Sequence, residues 1–292
     1  MHYRSSLSEN IPTKDALVHY CLLKNEKLTN AAVLLFGKEP RRFHPQAETK
    51  CIHCPGIELT KPFISYHVYQ GTIFDQIDEA YGFVMGIIKL PVVPERGKVP
   101  AKMEFEIPDF VIKEAIVNAI AHRDYHSDAS VQVMVFSDRI EIWNPGELPS
   151  ELTPESLKQQ HYSVPRNHDI CECLYRVAYV QKVGSGTTDM VKLCKEKGLP
   201  EPEFKQMAGS FVVTIWKNKF TKEYLENLGL NERQIKAVAY IKEKRAITNK
   251  EYQRLIDVSK KTASRDLQIL VEKGVFNRIG KVGAGTRYSL KL

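Results

Sequence analysis

Long hydrophobic runs are missing from this chain of 292 residues. No apolar stretch approaches the roughly 20 residues that a membrane-spanning helix needs, so the sequence predicts no transmembrane segment. The N-terminal residues 1–6, MHYRSS, contain no apolar core and therefore do not resemble a secretory signal peptide. These two absences together predict a cytoplasmic protein.

Cysteine is sparse, with six scattered residues in the whole chain, and this argues against a disulfide framework. Cys51 and Cys54 have the C-x-x-C spacing of half a zinc site, and His44 could be an outlying ligand. A structural zinc site needs four ligands, and no second C-x-x-C or H-x-x-x-H motif follows. We therefore interpret the pair as reduced cysteines on a strand or loop.

The G-x-x-x-x-G-K-[ST] motif of P-loop nucleotidases is also absent, which excludes a P-loop motor. The length corresponds to two or three domains of ordinary size. A proline- and charge-rich stretch at 90–100 and a polar link at 217–231 indicate where these domains are joined. The predicted segments are residues 1–98, 99–220 and 221–292.

Positive charge is concentrated at one end of the chain. Residues 222–292 contain 16 Lys and Arg against 8 Asp and Glu, a net charge of +8. The other 221 residues contain 26 basic and 27 acidic side chains. A basic excess confined to one segment is typical of a surface that binds a polyanion, although a solvated basic surface without a partner has the same composition.

The C-terminal segment has clear helix boundaries. Asn231, Thr248 and Ser259 are each placed to cap a helix, and Thr248 forms a capping box with Glu251. The third helix is predicted to end at Gly274. Its apolar residues follow the spacing of one helix face: Ala263, Leu267, Leu270 and Val271. Two strand-like pieces, 275–279 and 286–290, follow and flank a glycine-rich basic loop at 280–285.

Three helices followed by a basic hairpin predict a winged helix, whose third helix enters the major groove of double-stranded DNA. The run 262–267, TASRDL, resembles the recognition helix of bacterial winged helix-turn-helix regulators. Ser, Arg and Gln can read base edges, whereas Lys mainly holds phosphates. The predicted DNA-binding residues are Lys260, Lys261, Ser264, Arg265, Gln268, Lys281 and Arg287. The alternative is a winged helix that contacts another protein.

The middle segment predicts a helix at 108–124, a hairpin at 131–143, a loop at 144–146, a helix from 184 to 195 and a closing strand at 211–216. Glu114 and Asn118 are four residues apart, so they share one face of the first of these helices. That pair could serve a binding site or could be hydrogen-bonded to neighbouring backbone. The turn 122–125, HRDY, could likewise be a salt-bridged helix end.

Three runs carry a resemblance to a known family: 113–125 (KEAIVNAIAHRDY), 141–146 (EIWNPG) and 183–187 (VGSGT). They resemble the RecG C-terminal-like domain, a GHKL-type ATPase domain that occurs in bacterial regulators behind a Schlafen/AlbA-type DNA-binding domain. The resemblance covers about residues 28–292. It implies an α+β protein with an α/β segment, a GHKL-like α/β sandwich and a C-terminal winged helix. Residues 28–38 resemble the downstream part of the AlbA-type domain, so the chain is expected to begin within that domain.

The resemblance also implies a site for ATP and Mg²⁺. Asn118 would hold Mg²⁺ and Glu114 would orient a water as the catalytic base. Gly184, Gly186 and Thr187, in the run 184–187, would lie in the phosphate loop at a helix start. Asn144 stands where the family has an adenine-reading Asp, before Gly146, and Glu147 stands where the family has a Gly. This Glu adds bulk and negative charge near the phosphates.

Three functional hypotheses follow. The first is a DNA-binding transcriptional regulator with a degenerate GHKL-like domain as sensor or scaffold. A homodimer is the usual partner of palindromic half-sites, but no heptad or interface pattern in the sequence indicates one. The second is an ATP-hydrolysing enzyme delivered to DNA by its winged helix. The third is a protein-interaction module.

Overall fold

A computed structural model describes residues 7, 10–88, 92–93, 102–103, 105–179, 185–218, 220, 222–280 and 286–291. It divides the chain into two compact units. The first unit contains residues 1–53, 63–135 and 140–215, and the second contains 54–62, 136–139 and 216–292. The segment boundary predicted at 98 lies outside the described residues.

The helices are introduced here in chain order. They are α1 (Thr13–His19), α2 (Asn30–Phe36), α3 (Ile73–Ile87), α4 (Asp109–Ala121), α5 (His168–Arg176), α6 (Gly186–Glu196), α7 (Lys222–Asn227), α8 (Glu232–Lys244), α9 (Asn249–Ile256) and α10 (Lys260–Glu272). Single 3-10 turns lie at Pro40–Arg42 and Ser156–Lys158.

The strands are β1 (Leu23–Lys24), β2 (Lys27–Leu28), β3 (Thr49–His53), β4 (Ser65–Tyr69), β5 (Val92–Val93), β6 (Lys102–Met103), β7 (Val131–Val135), β8 (Arg139–Pro145), β9 (Glu203–Met207), β10 (Ser210–Trp216), β11 (Ile247–Thr248), β12 (Phe276–Ile279) and β13 (Arg287–Leu290). The α+β class predicted from the sequence is confirmed.

A mixed six-stranded sheet organises the first unit, in the order β4-β3-β7-β8-β10-β9. Strand β3 pairs in parallel with β7, with Cys51 opposite Val133, and pairs antiparallel with β4. Strands β7 and β8 form the predicted hairpin. The strand predicted at 211–216 is present as β10, but β9 lies beyond it at the edge of the sheet.

Helix α4 lies at the centre of the first core. Nine of its thirteen residues are buried, because α3 and α6 flank it and the sheet contacts it. Glu114 is therefore only 8% exposed, whereas a carboxylate normally lies at the surface.

The second unit contains the winged helix, with its own core and a three-stranded sheet in the order β11-β13-β12. The three predicted caps are confirmed: Asn231, Thr248 and Ser259 accept backbone hydrogen bonds at the starts of α8, α9 and α10. Gly274 follows α10 with φ of +69°, a left-handed conformation that favours glycine. Residues 281–285 of the predicted basic loop lie outside the described residues.

Residues 136–139 belong to the same compact unit as the winged helix. Asp138 forms an ion pair with Lys242 of α8 at 3.1 Å, and both side chains are almost fully buried. Arg139 donates a hydrogen bond to the carbonyl oxygen of Ile57 at 3.0 Å. Buried charges are costly unless they are paired, and Asp138 and Lys242 satisfy that requirement.

Candidate functional sites

A cavity of about 420 Å³ lies in the first unit beside α4. Its walls come from α4, β8, β10, α5, the first turn of α6 and the loop 147–166. Five of the residues predicted for a nucleotide site line this cavity: Glu114, Asn118, Asn144, Gly186 and Thr187. Gly146 follows the end of β8, and its N–H donates a hydrogen bond to the carbonyl oxygen of Gly209. Gly184 lies outside the described residues.

Glu114 and Asn118 are joined directly. The amide nitrogen of Asn118 donates a hydrogen bond to Oε1 of Glu114 at 3.0 Å. Burial raises the pKa of Glu114, the Asn118 hydrogen bond opposes this shift, and the nearby charge of Asp189 adds to it. The sequence left open that Glu114 and Asn118 are hydrogen-bonded to neighbouring backbone. In the structure the two side chains are hydrogen-bonded to each other.

Gly186 lies against the carboxylate of Glu114 at the start of α6. A Cβ atom on Gly186 would overlap Oε1 of Glu114, so this position has no room for a side chain. The first turn of a helix has free N–H groups that attract negative charge. The Glu114 carboxylate therefore already lies where the helix start favours an anion. Beside it, the buried Oγ1 of Thr187 has no hydrogen-bond partner among the described residues.

Asn144 is 6% exposed at the end of β8. Its hydrogen bonds are satisfied when the amide nitrogen faces the carbonyl oxygens of Ala119, at 3.0 Å, and Pro145, at 3.2 Å. In that orientation the nitrogen is committed to backbone. The amide oxygen is then the atom with which Asn144 can accept a hydrogen bond in the cavity.

His122 and Arg166 were not among the predicted site residues, but both line the cavity. His122 Nδ1 accepts a hydrogen bond from the Arg166 backbone N–H at 3.4 Å. The Arg166 guanidinium donates to the carbonyl oxygen of Glu147 at 2.6 Å and lies 3.8 Å from Asp124. Burial, reinforced by the positive charge of Arg166, lowers the pKa of His122 to about 4, so the imidazole is neutral at physiological pH.

The residues 122–125 were predicted as a possible salt-bridged helix end. Asp124 does approach a cation, Arg166, whereas Arg123 is 2% exposed and donates to the carbonyl oxygens of Ser127 and Ala129. His122 lies within the run 113–125 that carries the family resemblance, so it could have been predicted as a site residue. Arg166 lies in a loop with no pattern, and the sequence offers no comparable signal for it.

The spacing of Cys51 and Cys54 matches half of a zinc site. Cys51 and Cys54 are buried free thiols, and burial raises the pKa of Cys51 to about 12. Within the described part of the chain, no group of three or more His, Cys, Asp or Glu side chains is placed to hold a metal ion.

A second candidate site is the exposed face of α10. The five residues predicted for this face, namely Lys260, Lys261, Ser264, Arg265 and Gln268, are all exposed, as is Arg287 on β13. Ser264 accepts a hydrogen bond from Asn249 at 2.9 Å, and Gln268 bonds to Glu272 and Arg278 at 2.9 and 2.8 Å. Lys260, Lys261 and Arg265 make no hydrogen bond or ion pair with any described residue. Lys281 lies outside the described residues.

The buried face of α10 holds the helix in place. Ala263, Leu267 and Leu270 are fully buried, as their spacing predicted. Asp266 is also buried and accepts hydrogen bonds from the Tyr252 hydroxyl and the Arg233 guanidinium, each at 3.0 Å. This residue was missed, although its position between Ala263 and Leu270 in the helical spacing places it on the inward face.

Two family models match the chain. Residues 128–215 match the family described as "Putative ATP-dependent DNA helicase recG C-terminal", and residues 233–281 match the DeoR-like helix-turn-helix domain. No curated protein matches the chain. None of the described helices is both long enough and apolar enough to cross a membrane.

Among solved structures, one of similar fold aligns with almost the whole chain. It is the crystal structure of the DIP2311 protein from Corynebacterium diphtheriae, with a TM-score of 0.58 and 18% sequence identity. The match covers 96% of this chain but only 58% of the other. At this identity the likeness supports the fold alone.

Proposed function

We propose that this chain, which carries a RecG C-terminal-like ATPase-like domain followed by a DeoR-like helix-turn-helix, is a DNA-binding transcriptional regulator. The observation that carries the proposal is the exposed face of α10. Three cationic side chains at its start, Lys260, Lys261 and Arg265, are solvent-exposed and have no partner among the described residues. They are free to meet a nucleic acid without breaking an existing ion pair.

Their placement suits the major groove. In helix-turn-helix proteins the N-terminal residues of the recognition helix contact base edges, and Lys260, Lys261 and Arg265 lie in the first two turns of α10. A guanidinium can donate to both acceptors of a guanine, whereas an ammonium group mainly neutralises phosphate. Arg287 on β13 would contact the backbone from the wing.

The test is a titration of duplex DNA with the full chain and a variant in which Lys260, Lys261 and Arg265 are all alanine. A matched control replaces three exposed lysines of the first unit, Lys27, Lys38 and Lys192, by alanine and removes the same charge. We expect the first variant to lose most of its affinity and the control to keep it. Equal affinity of both variants and the wild type would favour a protein-interaction module instead.

The proposal extends to location and assembly. A regulator of this kind would act in the bacterial cytoplasm, and a homodimer would place two winged helices on the two halves of a palindromic site. Sedimentation of the chain with a DNA duplex containing one or two half-sites would measure how many copies bind.

Nucleotide hydrolysis is a second candidate, favoured by the convergence of Glu114, Asn118, Gly186 and Thr187 on one cavity. If the cavity binds ATP with Mg²⁺, Asn118→Ala should abolish Mg²⁺-dependent binding because it removes a metal ligand. Glu114→Ala should keep binding and stop turnover. The absence of wild-type binding at millimolar ATP would exclude this candidate. The charges that line the cavity work against it.

A further inference from the structure

We propose that the cavity beside α4 is a binding site for a phosphate-free heteroaromatic amine, uncharged or cationic, and not for a nucleoside triphosphate. The proposal concerns the first unit alone. It holds whether or not the winged helix binds DNA, so the two can fail separately.

The first argument is the charge of the cavity wall. Among the described residues that line the cavity, three are glutamates, Glu114, Glu147 and Glu172, and the only fixed cation is Arg166. Arg166 is already engaged with Asp124 and the carbonyl oxygen of Glu147. The described part of the wall therefore offers no spare positive charge to a triphosphate. Glu172 is paired with Arg176 at 2.9 Å, and the carboxylates of Glu114 and Glu147 would repel the phosphates.

The second argument is the position of Glu114. The start of a helix is a common site for phosphate because its free N–H groups point outward. At α6 that place is filled, since the Glu114 carboxylate touches Gly186 so closely that a Cβ would overlap it. The carboxylate is held there by the hydrogen bond from Asn118. A phosphate could occupy the described start of α6 only if Glu114 moved away or lost its charge.

The third argument is what the cavity does offer. Ile142, Leu148, Leu152 and Val213 form apolar surface, and Phe211 and Tyr175 add aromatic rings. A flat apolar ring suits such walls, and about 420 Å³ is within the range of small-molecule pockets. Two polar groups of the wall accept hydrogen bonds, namely the amide oxygen of Asn144 and the carboxylate of Glu114. A ligand that matches them must donate, as an amine does.

The experiment is a calorimetric titration of the full chain with adenosine, AMP and ATP·Mg²⁺, which share the adenine ring system; adenosine is uncharged and the other two are anions. We expect adenosine to bind, and affinity to fall by about tenfold or more with AMP and with ATP·Mg²⁺, because the carboxylates repel both anions. ATP·Mg²⁺ binding as tightly as adenosine would overturn the proposal. So would the absence of adenosine binding at millimolar concentration.

Two variants identify the residues responsible. Glu114→Gln keeps the shape and removes the charge, so it should narrow the affinity ratio between adenosine and AMP, whereas the control Glu79→Gln, at an exposed position of α3, should leave the ratio unchanged. Asn144→Ala should weaken adenosine and AMP alike, because it removes the acceptor that both would use. An unchanged ratio in Glu114→Gln would contradict the role given to that carboxylate.

Discussion

Arg265 and Lys261 are exposed cations on the same face of α10, but their chemistry predicts different effects on DNA binding. Arg265→Ala should cost about 1–3 kcal/mol on the preferred site and relax sequence preference, because a guanidinium can pair with both acceptors of a guanine. Lys261→Ala should weaken all sequences alike, because an ammonium group binds mainly phosphate. Affinities for the preferred duplex and for a scrambled duplex measure both effects.

Neither substitution should change folding, because both residues lie away from the buried face formed by Ala263, Leu267 and Leu270. The free energy of unfolding of each variant is the control for that point. If Arg265→Ala weakened both duplexes by the same factor, Arg265 would be a phosphate contact and not a base reader.

His122 predicts a pH dependence of stability. Its pKa is about 4 in the folded chain against 6.5 in the unfolded chain, so between these values the unfolded state binds the extra proton. The folded state should therefore be fully favoured above pH 6.5 and lose at most about 3 kcal/mol as the pH falls to 4. Urea unfolding from pH 4 to 7 measures this loss.

The matched variant is His122→Asn, which keeps an acceptor close to the position of Nδ1 and does not titrate. Its stability should depend on pH less steeply than that of the wild type. The comparison also cancels the contribution of Glu114, which is the same in both proteins. The raised pKa of Glu114 acts in the opposite direction, because ionising this buried carboxyl lowers the stability of the folded state as the pH rises. Parallel pH curves for the two proteins would contradict the prediction.

Single residues were predictable when their signal was local. The four-residue spacing placed Glu114 and Asn118 on one helix face, and the structure joins them by a hydrogen bond. Arg166 could not be anticipated, because its contacts to Asp124 and Glu147 depend on how a loop returns over the cavity. The sequence of that loop has no hydrophobic periodicity, so it does not predict the course of the chain there.

At the scale of elements, the close packing at the start of α6 predicts that alanine at Gly186 and alanine at Gly82 have different effects on stability. Gly186→Ala should destabilise the first unit by about 1–3 kcal/mol, because the new Cβ would force the Glu114 carboxylate to move. Gly82→Ala is the control, at an exposed position of α3 where a Cβ meets no atom within 4 Å. It should be neutral or stabilise the helix by up to about 1 kcal/mol. Thermal unfolding of both variants measures the contrast, and equal shifts would contradict it.

The elements of the winged helix were largely predictable. Each cap joins residues three positions apart, so Thr248 and Glu251 identify a helix start whatever surrounds them. Strand β9 was missed, because of its five residues only Phe204 is buried and its sequence lacks a run of apolar residues. Its place at the edge of the sheet comes from pairing with β10.

At the scale of the whole molecule, the charge distribution predicts a steep salt dependence of DNA binding. Each neutralised phosphate should contribute a slope of about −0.9 in the logarithm of affinity against the logarithm of salt concentration. Because the basic excess lies in residues 222–292, Lys261→Ala and Lys281→Ala should each make the slope shallower. The control Lys192→Ala in the first unit should leave it unchanged. A flat salt dependence of the wild type would contradict the proposed function.

The local features of this protein could be predicted from its sequence: the caps, the helix faces and the basic excess at one end. The parallel pairing of β3 with β7, and the Glu114 carboxylate at the start of α6, became visible only in the folded chain. Caps and helix faces depend on hydrogen bonds and side chains a few residues apart, so the sequence records them directly. A parallel strand pair or a glycine beneath a carboxylate joins distant parts of the chain, and the packing of the whole core selects which parts meet.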